Sequence, residues 1–213
     1  MNLRIQPSDL ELAALISSKI CHDVINPVGA IHNGLEILDE DNNADAQRYA
    51  LEMIRNVTAQ ASARLQFARF AFGAAGSAGS MIDLGMAAQV SQGFVGMGKH
   101  KLVWPNACGT MTKDRVKLLL NLISSAVTAL PRGGEIVVAV TGPLSNPGFT
   151  LTCRGVSARP PQYLVDFIAG NPPAIDSLTI QAYYTARLAS TVGMRLEIVK
   201  TAADIVLHAH QQV

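Results

Sequence analysis

The sequence predicts an α+β protein in two parts. The first is an N-terminal antiparallel helical hairpin that pairs with a second copy as a dimeric four-helix bundle. The second is a C-terminal α/β sandwich. Three observations carry this prediction. Apolar residues recur at helical intervals through residues 8–72. The run Gly73-Ala74-Ala75-Gly76-Ser77-Ala78-Gly79-Ser80 then reads as a linker. Beyond it, strand-like and helix-like segments alternate in an order that suits helices packed on one sheet.

The first helix opens at Ser8-Asp9-Leu10-Glu11, a hydroxyl followed three residues later by an acid, which is the pattern of a capping box. Leu12, Leu15, Ile16, Ile20, Val24, Val28, Ile31, Leu35 and Leu38 follow at spacings of mostly three or four, so one face is apolar. Pro27 removes one helical hydrogen bond, and a bend is expected just after His22. The acidic stretch Asp39-Glu40-Asp41-Asn42-Asn43 ends the helix. A second helix is expected from about Asp45 to Phe72, with Tyr49, Met53, Val57, Leu65 and Phe72 on its apolar positions. A lone hairpin encloses no core, whereas two hairpins do, which asks for a symmetric dimer. The competing arrangement has the second half of the chain covering the hairpin.

The domains are therefore expected at 1–72 (dimerisation and chemistry), 73–80 (linker) and 81–213 (α/β domain). Within the last, strands are predicted at Lys101–Trp104, Glu135–Thr141, Phe149–Cys153, Arg195–Thr201 and Ala203–His208. Helices are predicted at Thr112–Leu130, Pro161–Ala169 and Ser177–Val192, with Pro131-Arg132-Gly133-Gly134 as the turn out of the first.

Composition narrows the function classes. Apolar residues make up 49% of the 213, so a core forms and wholesale disorder is excluded. The formal net charge is +1 with Lys and Arg scattered, which argues against a nucleic-acid binder. No uninterrupted apolar stretch reaches the roughly 18 residues of a membrane span, and the N-terminus lacks a signal-peptide core. A cytoplasmic protein is expected. Cys21, Cys108 and Cys153 have neither disulfide nor metal-ligand spacing. His208 and His210 form at most a metal pair without a third ligand.

Chemistry concentrates in Cys21-His22-Asp23-Val24-Ile25-Asn26-Pro27-Val28. His22 stands two positions from both Ile20 and Val24, so at roughly 100° per residue it points away from their stripe. Asn26, Gly29 and Asn33 share its side of the helix. A neutral imidazole has a free lone pair near neutral pH and attacks phosphorus without strong activation. Asp23 is placed to hydrogen-bond the other ring nitrogen and fix the tautomer, and Asn26 to orient a phosphoryl group or a water. Phosphoryl transfer then needs in-line alignment and charge neutralisation. On spacing alone, however, a helical histidine is more often an ordinary surface residue, the reading given to His32, His100, His208 and His210.

His22 through Val28 closely resembles the H-box of sensor histidine kinases: histidine, acid, two variable residues, Thr or Asn, proline, aliphatic. The resemblance implies that His22 is phosphorylated in a dimeric hairpin, that Asp23 assists transfer and that Asn26 serves the reverse chemistry. The second half resembles the ATP-binding (Bergerat-type) domain of the same kinases in degenerate form. Asn121-Leu122-Ile123-Ser124-Ser125-Ala126 resembles the N-box, with Ser125 where a metal-holding asparagine belongs. Thr152-Cys153-Arg154-Gly155-Val156-Ser157 stands at the place of the adenine-reading box, with Cys153 for its aspartate and Ser157 for its second glycine. The next glycine-rich box would fall near Leu178–Ala182, which has no glycine.

A kinase-like hairpin followed by such a domain resembles the ChpT-type histidine phosphotransferases, over essentially the whole chain. This implies a phosphorelay intermediate that accepts a phosphoryl group on His22 from the receiver domain of a hybrid histidine kinase. It passes the group on to response-regulator aspartates. The chain itself is expected to hold no cofactor, with Mg2+ brought by the partner receiver. Gly29, Asn33, Arg154 and Arg159 are the expected partner contacts. The alternatives are an autokinase with an aberrant ATP site, or a non-catalytic module that binds a regulator.

Overall fold

A computed structural model describes residues 6–40, 43–73 and 79–212. The predicted linker falls largely outside these residues, as does part of the acidic loop. The hairpin consists of α1 (Asp9–Glu40) and α2 (Ala44–Ala71). Ser8 forms the capping box: its N–H donates to the Glu11 carboxylate at 2.8 Å and its hydroxyl oxygen accepts from the Glu11 N–H at 3.3 Å. The Ser8 N–H and the Ser8 hydroxyl, which also donates to the Glu11 carboxylate at 2.8 Å, hold that carboxyl below its usual range. Asn43 caps α2 by accepting from the Asp45 N–H at 2.9 Å. α1 runs through buried Pro27 as one helix. At Gly34 the two helices touch so closely that a Cβ would stand 2.6 Å from Ile54 Cγ1.

The second part contains β1 (Met81–Asp83), α3 (Leu84–Val95), β2 (His100–Val103), β3 (Thr110–Thr112) and α4 (Lys113–Ala129). It continues with β4 (Gly134–Thr141), β5 (Gly148–Arg154), α5 (Gln162–Ala169), α6 (Ile180–Thr191), β6 (Met194–Lys200) and β7 (Asp204–Gln211). The five-stranded sheet has the order β2-β4-β5-β7-β6, and β1 pairs with β3 separately. Only β2 and β4 run parallel in the larger sheet. Along β5 and β7 fully buried residues alternate with half-buried ones, so one face carries the helices. Gly133 and Gly134 make the predicted turn at φ of 88° and 147°, and a Cβ at Gly134 would stand 2.1 Å from the Arg154 carbonyl oxygen.

Each predicted helix and strand is present with ends shifted by a few residues, but α3 and the β1–β3 pair were not predicted. Gly85 and Gly93 lower the helix propensity of α3. The missed signal was Asp83, whose carboxylate accepts from the Met86 N–H at 2.8 Å, ahead of Leu84, Ala87, Ala88, Ser91 and Val95 on one buried face.

The hairpin and the second part share a core. Phe67 and Ala71 of α2 are buried with Leu84, Val95, Leu119 and Ile123. Phe67 stacks on Phe94 with ring centroids 4.0 Å apart, and Phe72 tilts against Tyr184 at 5.5 Å. The buried Asn121 amide donates to the Ala71 carbonyl at 3.0 Å, capping the end of α2 from inside the second domain. Coverage of the hairpin by the second domain and by another copy stood as rivals in the sequence. In the structure the second domain covers one flank, while Ile25, Val28, Leu35, Leu51 and Leu65 stay exposed on another. No described helix is long and apolar enough to cross a membrane.

Candidate functional site

The middle of α1 places His22, Asn26, Gly29 and Asn33 on successive turns of one exposed strip. Among the described residues nothing hydrogen-bonds the His22 ring. A Cβ on Gly29 would meet nothing within 4 Å. The strip is open to an approaching surface, as the spacing predicted.

Asp23 behaves differently from the expectation. Its carboxylate reaches not His22 but Lys19, one turn earlier, at 2.6 and 2.5 Å. Side chains four apart lie above one another on a helix, whereas neighbours in sequence diverge by roughly 100°. The Asp23 carbonyl in turn accepts from Arg64 Nη1 of α2 at 2.9 Å. Lys19, Asp23 and Arg64 line a cavity of about 330 Å³ between the hairpin and the second domain, which contributes Phe94, His100 and Thr128 to its walls. Lys19 was legible in the sequence as the residue four before Asp23; Arg64 required the tertiary fold.

Arg154 and Arg159 lie at and beyond the end of β5. Arg154 is engaged across the sheet, 3.2 Å from Asp204 and 3.8 Å from Glu135. Arg159 is exposed and has no ion pair among the described residues; its backbone N–H donates to the Ala129 carbonyl. No hydrogen bond or ion pair joins either arginine to α1 among the described residues.

Among the positions that resemble a nucleotide site, Ser125, Cys153 and Gln181 are buried, whereas Arg154, Val156, Ser157 and Leu178 are exposed. The Ser125 hydroxyl is buried and donates to the Asn121 carbonyl at 3.0 Å. Gln181 from α6 donates to that carbonyl at 2.8 Å and to the Thr185 hydroxyl at 3.0 Å. Cys153 is fully buried, and burial followed by the nearby Asp204 charge pushes its thiol up to about 12, so it stays protonated. His208 is bonded through Nδ1 to Thr150 at 3.1 Å, and no group of three His, Cys, Asp or Glu among the described residues is arranged to hold a metal.

The family model for the histidine phosphotransferase C-terminal domain matches residues 84–204. The protein phosphotransferase ChpT of Brucella abortus (strain 2308) is 44% identical over 211 residues, 98% of this chain and 100% of the relative. A solved bacterial phosphotransferase superposes with a TM-score of 0.90 at 41% identity, covering 97% of this chain and 98% of that one. A histidine kinase domain from Erythrobacter litoralis is a much looser match, with a TM-score of 0.44 at 14% identity over 85% of this chain and 94% of its own. Identity on the scale of the first two, over both parts and with the same fold, makes the chain a member of the ChpT-type histidine phosphotransferases.

Proposed function

We propose that His22 is the phosphoacceptor of this phosphorelay protein, taking its group from a receiver aspartate and giving it to another. The observation that carries the reading is an exposed, unbonded imidazole on an uncrowded helical strip, in the motif that the sequence singled out. A ring-nitrogen lone pair attacks the acyl phosphate of the receiver. The P–N bond forms as the P–O bond breaks, and the electron pair leaves on the receiver's carboxylate. The proton on the other ring nitrogen stays in place until solvent takes it. Onward transfer is the reverse at a second receiver. Mg2+ carried by the receiver supplies charge neutralisation.

A chase from a phosphorylated receiver tests this: label is expected on the chain, and a receiver that keeps all of its label would leave only the binding-module alternative. The absence of ATP chemistry is a further part of the proposal, supported by buried Ser125, Cys153 and Gln181 where contacts to a nucleotide would be needed. Calorimetry with millimolar Mg-ATP should give no saturable heat, and a micromolar isotherm would restore the autokinase reading.

Gly29 and Asn33 are assigned to the receiver interface, with Asn26 orienting the phosphoryl group. An exposed glycine inside a helix costs about 0.5–1 kcal/mol relative to alanine. Gly29→Ala is therefore expected to stabilise the fold by that amount while slowing transfer, because the added methyl enters the docking space. A faster or unchanged rate would remove Gly29 from the interface. Arg159 is the better placed of the two arginines for docking, since Asp204 and Glu135 already occupy Arg154.

The homodimer is proposed on the exposed apolar stripes. Ile25, Val28 and Leu35 on α1 and Leu51 and Leu65 on α2 are spaced by three, seven and fourteen residues, on a face the second domain leaves bare. Sedimentation of the full chain at micromolar concentration should give a dimer; a monomer would contradict the bundle.

A further inference from the structure

We propose that Lys19 is a positioning residue for phosphoryl transfer at His22. Its ion pair holds the Asp23 carboxylate in place and cancels that charge beside the phosphoryl group. The inference rests on His22 as phosphoacceptor and adds the residue that makes its acidic neighbour tolerable.

The geometry is specific. Lys19 Nζ contacts both Asp23 oxygens, at 2.6 and 2.5 Å. Lys19 lies one turn before His22 and Asp23 alike, three and four residues away, and its ammonium is held on the Asp23 carboxylate. Helix stability gives little reason for the pair: a basic residue ahead of an acid at this spacing is the weaker orientation, and partly exposed pairs contribute little. The pair is also half withdrawn from water, with Lys19 26% and Asp23 41% exposed. It faces the cavity at the junction of hairpin and second domain, where screening is reduced. Arg64 grips the Asp23 main chain from α2, so the residue is fixed at both its carbonyl and its carboxylate. His100, on the far wall, is bonded through Nε2 to the Leu130 carbonyl at 2.9 Å.

The chemistry requires compensation. Attack on the acyl phosphate brings a doubly negative phosphoryl group to the residue adjacent to Asp23. An uncompensated carboxylate there repels it, with an effect on the order of tenfold in rate at the dielectric of a protein surface. Lys19 removes that repulsion and keeps the carboxylate from swinging toward the phosphoryl oxygens.

A double-mutant cycle tests the charge logic apart from any structural effect. Uptake of label from a phosphorylated receiver is measured for the full chain carrying Lys19→Met, Lys19→Gln, Asp23→Asn and the Lys19→Met, Asp23→Asn pair. Lys19→Met and Lys19→Gln are expected to lower the maximal rate about tenfold when Asp23 is present. In the Asp23→Asn background Lys19→Met should cost less than about twofold, and Lys19→Arg should retain most activity. An equal loss in both backgrounds, no loss in either, or a loss confined to receiver affinity would overturn the proposal. His22→Ala run in parallel separates the two ideas. Label retained on that protein refutes the phosphoacceptor, whereas its absence together with an uncoupled Lys19 refutes only the positioning role.

Discussion

His22→Ala is expected to take up no label from a phosphorylated receiver, while its unfolding midpoint stays close to that of the parent. The two halves of this result come from the same observation. The imidazole is exposed and has no hydrogen bond among the described residues, so its removal breaks no structural contact; exposed substitutions of this kind change stability by less than about 0.5 kcal/mol. Neither Asp23, tied to Lys19, nor Asn26 replaces a neutral ring nitrogen as a nucleophile toward phosphorus. The loss is therefore total rather than graded. Acid-labile label found on the variant would require another acceptor, and the proposal for His22 would fall.

Phe67→Ala is expected to destabilise the fold by about 3–5 kcal/mol, the usual range for a buried aromatic. Phe67 is 3% exposed and packs within the core shared by the hairpin and the second domain. Truncation loses the burial of the ring and its stacking on Phe94, which adds about 0.5–1.5 kcal/mol beyond area alone. Because the side chain belongs to the hairpin and its neighbours to the second domain, the same change loosens the joint beside Asp23. Denaturant unfolding at a fixed protein concentration measures the effect, the concentration being held because a dimer's stability depends on it. A loss under about 1 kcal/mol would mean that the joint collapses onto the vacancy and that the two parts are not rigidly coupled through Phe67.

Most of the hairpin was legible in the sequence because its information is local. Helical periodicity, the Ser8–Glu11 capping box and the Asn43 end of the acidic loop are each set within a turn or two of chain, and the structure has them. The H-box at His22 was legible for the same reason, being one contiguous heptapeptide. In the second domain the strands β2, β4, β5, β6 and β7 were legible as short apolar runs, whereas α3 was not. Its glycines blur the helical signal, and the fold overrides their low propensity by burying Leu84, Ala87, Ala88 and Val95.

The sequence by itself determined the helices, the order of the main elements and the position of the reactive imidazole, because backbone propensity, capping and helical spacing act over a few residues. It could not divide the apolar stripe of α1. Leu12, Leu15 and Ile16 pack against the core, whereas Val28 and Leu35, in the same periodic series, face outward. That division depends on which surface the second domain covers, a contact between residues far apart in the chain. The tertiary structure likewise decided that Arg64 of α2 holds the Asp23 carbonyl, whereas the Lys19–Asp23 pair is set by helical spacing within α1. Arg64 lies 41 residues away, and only the packing of α2 against α1 brings its guanidinium to that carbonyl, beside the cavity that α2 and the second domain build.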